Sequence, residues 1–99
     1  MGKLKIKAMS KCGVHTYDNI TQPKIEEILA KLQSNGATVH GSNPWHVDVN
    51  KHNIKLQGNW DEENSSLAIS VTDKSFIVPC SKIWSTIDPL VEDISAQAD

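Results

Sequence analysis

Three short segments in the middle of the chain alternate apolar with polar residues, and they limit the fold more than any other feature. In the first, Trp45, Val47 and Val49 alternate with His46, Asp48 and Asn50. In the second, Ile54, Leu56, Gly58 and Trp60 alternate with Lys55, Gln57 and Asn59. In the third, Leu67, Ile69 and Val71 alternate with Ala68, Ser70 and Thr72. A period of two places each set on one face of a strand. The connections, 50–53 and 61–66, are rich in Asn, Asp and Ser, which hydrogen-bond their own backbone and favour turns. They are too short for a crossover, so the three segments form an antiparallel meander.

Two helical stripes flank the meander. Ile25, Ile28, Leu29 and Leu32 recur at spacings of three and four. Thr21 stands at the N-cap, Pro23 sits in the first turn where its missing N–H is not needed, and Asn35-Gly36 supplies a left-handed stop. At the other end, Ile83, Trp84, Ile87, Leu90 or Val91, and Ile94 form a second stripe, with Ser81 as its cap. Pro89 falls inside this stripe, which stays in phase across it, so a kink is expected rather than a break. Leu4, Ile6 and Ala8 alternate with Lys3, Lys5 and Lys7 and predict a further strand; residues 10–20 and the stretch holding His40 read as loops. The expected order is β-α-β-β-β-α. Both helical stripes need a common apolar surface, which predicts an α+β two-layer sandwich. Its sheet is mostly antiparallel and four-stranded, with two helices packed on one face and the polar face open. Residues 1–99 are expected to form a single domain, with a core over about 3–95 and a frayed tail at 96–99.

Composition narrows the function classes. At 99 residues and 10.9 kDa the chain has room for one core. No apolar run approaches the roughly 20 residues of a membrane helix, and the N-terminus lacks the apolar block of a secretion signal, so no membrane association is expected. Two cysteines are too few for a disulfide framework, which predicts free thiols and a cytoplasmic location. The formal charge is −2, and all 10 basic residues are lysine, so bidentate phosphate recognition by arginine is absent. Helix, three strands, helix is also the element order of double-stranded-RNA-binding domains. Those domains carry a lysine cluster at the start of the last helix, where this chain has Lys82 followed by acids, so nucleic acid is disfavoured as a partner.

Three features invite a functional reading. The chain has three tryptophans, and Trp45, Trp60 and Trp84 all fall on expected inward positions, with Phe76 between them in sequence. Gly58 leaves a gap on the inner face, so Trp45, Gly58, Trp60, Phe76 and Trp84 are the candidate lining of an apolar pocket between sheet and helices. The simpler reading is that they are core. Cys80 is expected at the entry of the last helix, where backbone N–H groups favour a thiolate, and is the candidate reactive thiol; the alternative is a small buried hydrophobe. Cys12, His15, His40, His46 and His52 do not fall at positions that converge on a metal, so no metal and no cofactor is expected. No spacing of Ser, His and Asp and no glycine-rich phosphate loop is present, so no catalytic residue is assigned. The resulting expectation is a small soluble non-enzymatic binding or interaction domain. It would use the interlayer pocket, or the polar sheet face with His46, Asp48, Lys55, Gln57, Lys5 and Lys7, for a protein or a small apolar ligand, as a monomer or weak homodimer. The alternative is a thiol-dependent redox or regulatory protein centred on Cys80.

Overall fold

A computed structural model describes residues 12–98. Their order is β1 (Val14–Tyr17), α1 (Gln22–Ser34), β2 (Thr38–Gly41), β3 (Trp45–Asp48), β4 (Lys55–Asp61), β5 (Ser66–Asp73) and α2 (Cys80–Ser95). The fold is α+β, with two helices and a five-stranded sheet in the order β1-β5-β4-β3-β2, every neighbour antiparallel. The expected meander is β3-β4-β5. The sheet has more strands than expected because two segments read as loops pair at its edges. The strand expected around Leu4 to Ala8 lies outside the described residues.

Alternation along β3, β4 and β5 sorts the side chains. Val47, Leu56, Leu67, Ile69 and Val71 are buried with Ile25 and Ile28 of α1 and Ile83, Ile87, Val91 and Ile94 of α2 in one core. Both unforeseen strands are short and weakly apolar. In β1 the inward residues are His15 and Tyr17, opposite Ile69 and Leu67, while Val14 is half exposed. In β2 the inward apolar residue is Val39, opposite Val47.

α1 ends as its sequence implies. Gly36 has φ +100°, its N–H bonds the Gln33 carbonyl at 3.0 Å, and the Ala37 N–H bonds the Leu32 carbonyl at 3.0 Å. These are the paired bonds of a Schellman stop, with Leu32 and Ala37 both packed on the core. α2 runs unbroken through Pro89. It starts at Cys80 with Pro79 as its N-cap residue, two positions before the Ser81 cap expected. Lys24, buried in α1, donates to the Ser95 carbonyl at 2.9 Å, placing an ammonium at the C-terminus of α2, where the helix dipole favours it.

Cys12 and Cys80 are joined in a disulfide, with Cα atoms 5.4 Å apart. The expectation of free thiols is thereby corrected. The strand beginning at Val14 lies under α2, which brings residue 12 to the first residue of that helix, within bridging distance. The bond closes a sequence separation of 68 residues. On the chain-entropy account, a Cys12→Ser/Cys80→Ser double variant should lose about 4 kcal/mol of stability. Urea unfolding of the oxidised, reduced and double-variant chains checks this; coincident midpoints would contradict it.

Candidate functional site

The five residues expected to line an apolar pocket do not come together. Trp45 lies directly opposite Gly58, and both face a gap walled by Ile25, Leu29 and Leu32 of α1 and by Val47, Leu56, Leu67 and Ile69 of the sheet. The gap measures about 20 Å³, room for about one water. A methyl on Gly58 would meet Leu67 Cδ1 at 3.7 Å, an ordinary contact, so Leu67 already fills much of the space the glycine leaves. Trp60 is half-buried, and its indole N–H donates to the Ile20 carbonyl at 2.8 Å. Trp84 is buried at the other side of the layer, against β1. Phe76 is 90% exposed and Ile77 70%, contrary to the inward placement expected for Phe76. Both sit in the turn closed by the Val78 N–H on the Ser75 carbonyl, which directs them away from the layers.

Cys80 occupies the helix entry expected of it, but its sulfur is bonded to Cys12 and carries no free thiol. The inference to a reducing compartment rested on that thiol being free. Around the disulfide lies a polar cluster that the sequence did not reveal. His15 stacks on Trp84 with ring centroids 3.7 Å apart and planes 9° from parallel. His15 Nδ1 bonds Asp88 Oδ1 at 2.9 Å, and the Tyr17 hydroxyl donates to the same oxygen at 2.6 Å. The Trp84 indole donates to the Cys12 carbonyl at 3.2 Å. Burial alone would raise the Asp88 carboxyl, but the bonds from Tyr17 and His15, with attraction to His15, outweigh it and hold Asp88 below the usual carboxylate range. Burial, then the bond to Asp88 and the charges of Asp88 and Glu92, push the Tyr17 phenol far above its ordinary value. The signal for this cluster was faint: a His-x-Tyr pair that alternates like a strand but is not apolar.

A third arrangement lies on the outer face of the sheet. His40 and His46 are directly opposed across β2 and β3, and both are exposed. Gln57 stands opposite His46 on β4, and Asp48 stands opposite Lys55, with Lys55 Nζ 4.0 Å from Asp48 Oδ2. The side chains of His40, His46, Asp48, Lys55 and Thr72 line a shallow groove of about 280 Å³. Alternation predicts His46, Asp48, Lys55 and Gln57 on this face, as found; Lys5 and Lys7, predicted beside them, lie outside the described residues. His40 joins them because the segment read as a loop is β2. The chain matches no protein-family model, no curated protein and no solved structure.

The β1–α2 cluster sets a stability window in pH. A carboxyl depressed by folding, as in Asp88, stabilises above its unfolded range, and that contribution is lost as pH falls through its lowered value. A phenol raised by folding, as in Tyr17, stabilises below its ordinary value of 10.0, and that contribution is lost as pH rises past it. Urea midpoints against pH should therefore fall at both extremes. Asp88→Asn should flatten the acid limb and Tyr17→Phe the alkaline limb. Limbs unchanged in both variants would contradict the assignment.

Proposed function

We propose that the protein is a non-catalytic binding domain whose contact surface is the open polar face of the sheet. One observation carries this reading. The groove on that face, about 280 Å³, approaches the lower size of small-molecule sites, whereas the interlayer gap of about 20 Å³ has room for about one water. Its walls supply two imidazoles, an ammonium, a carboxylate and a hydroxyl, so the favoured occupant is a small polar ligand rather than an apolar one. The groove runs across β2, β3, β4 and β5, whose ladders hold the backbone that carries its walls.

A second reading, a thiol-dependent regulatory protein, draws on the position of the disulfide at the start of α2. An external dithiol would attack one sulfur, expel the other as a thiolate, and close its own disulfide, delivering two electrons and freeing Cys12 and Cys80. Equilibration in glutathione buffers of graded poise tests it: a bond that stays closed across the cellular range would exclude a redox role.

The main reading is checked by a ¹H–¹⁵N correlation titration with small carboxylates, phosphates, sugars and fatty acids. Shifts confined to His40, His46, Asp48, Lys55 and Thr72 with a polar compound are expected. Shifts at Trp45, Gly58, Leu67 and Ile69 with a fatty acid would return the site to the interlayer gap, and silence from every compound would remove the reading.

A further inference from the structure

His40 and His46 are separated by five residues in sequence but stand side by side in the sheet, because the hairpin turns symmetrically about Asn43. Directly opposed residues of an antiparallel pair have Cβ atoms about 4.5–5.5 Å apart and share a face. Imidazoles at that separation can direct one nitrogen each to a common point at the roughly 2.0–2.1 Å that borderline metal ions require. Both rings are exposed, and both line the same groove.

The backbone beneath the pair is held at each end of β2. Asn43 Nδ2 donates to the Trp60 carbonyl at 2.9 Å, and the Trp60 N–H donates to Asn43 Oδ1 at 2.9 Å, so the Asn43 amide continues the ladder along β4. At the opposite end, Asn50 Nδ2 donates to the Gly36 carbonyl at 2.8 Å and to Thr38 Oγ1 at 3.0 Å. The neighbouring Asp48 and Lys55 carry opposite charges 4.0 Å apart, so the ammonium does not stand as an uncompensated repulsion to a cation. Among the described residues, no group of three or more His, Cys, Asp or Glu side chains could hold a metal ion. A metal ion held by this pair would therefore have two protein ligands and keep positions for water or an exogenous donor.

We propose that His40 and His46 form a two-imidazole site for a borderline divalent transition-metal ion, with Cu²⁺ held more tightly than Zn²⁺ and with Mg²⁺ and Ca²⁺ not bound. The order follows from ligand chemistry: imidazole suits the later first-row ions, and hard ions demand oxygen. The inference rests on the reading of the outer face as the contact surface, and it names one class of occupant for the same groove.

The test is titration of the full, disulfide-intact chain with ZnCl₂, CuCl₂ and MgCl₂, by calorimetry and by histidine side-chain resonances. Zn²⁺ should move the His40 and His46 rings along one shared isotherm, and Mg²⁺ should move neither. His40→Gln and His46→Gln should each weaken Zn²⁺ binding by at least about tenfold, since the second imidazole binds as an intramolecular ligand. His52→Gln should leave it unchanged. Excess Zn²⁺ should raise the Tm of the parent chain but of neither His40→Gln nor His46→Gln, because the bridged pair exists only in the folded state. Absent binding, shifts centred on His15 or His52, or either single variant binding as the parent does would overturn the proposal. If polar compounds occupy the groove and metals do not, this inference falls and the contact-surface reading stands. If neither binds, both fall.

Discussion

Burial of one face of the central meander is the constraint from which the rest of the molecule follows. Val47, Leu56, Leu67, Ile69 and Val71 are the sheet side chains that α1 and α2 can cover, and the side-chain period of a strand is two. A slip of one residue in any of these strands would turn its members of this set to water and bring in Asp48 from β3, Lys55 and Gln57 from β4, or Ser70 and Thr72 from β5. The register is therefore fixed by the core, and the composition of the outer face is a consequence. The groove on that face is built by the same alternation that builds the core beneath it.

The edges of the sheet are secured differently from its centre. β1 buries one side chain, Tyr17, with His15 half-buried beside it. It is held by polar bonds to Asp88, by the stacking of His15 on Trp84, and by the covalent tie from Cys12 to the start of α2. Asp88 of α2 accepts from His15 and Tyr17 of β1 through one oxygen, so the half-buried carboxylate is satisfied by the strand it holds. The residue sits immediately before Pro89, inside an unbroken helix. Pro89, which cannot donate to the helix ladder, thus adjoins a side chain that joins α2 to the sheet.

What the sequence makes legible tracks how much apolar surface each element buries. α1, with four apolar residues in phase and a glycine stop, is readable to its last turn, and the three central strands are readable from their alternation. β1 and β2 are not, because a strand of four residues with one inward apolar side chain, or none, leaves no hydrophobic period to detect. Those two misses carry the others with them. Without β1, nothing places Cys12 beside Cys80 or His15 beside Asp88. Without β2, His40 belongs to a loop and has no reason to face His46. Phe76 lies outside any element's periodicity: the chain there is a turn with Phe76 and Ile77 at its exposed centre, so sequence position between two buried elements does not bring it into the pocket.

The same weakness at the edge bears on where a ligand acts. β2 contributes Val39 to the packed layer and is otherwise held by its ladder and by the amides of Asn43 and Asn50. Elements with few buried apolar contacts open at lower free energy than the core, so β2 separates from β3 more readily than β4 from β5. A ligand that touches both β2 and β3 binds only when they are paired, and it draws its coupling from that local equilibrium rather than from global unfolding. A ligand lodged between the layers would have to displace side chains that already fill the space between α1 and the sheet. The outer face asks for no such displacement. Its groove lies on side chains that the core leaves facing outward, with His40 and His46 opposed across the edge ladder.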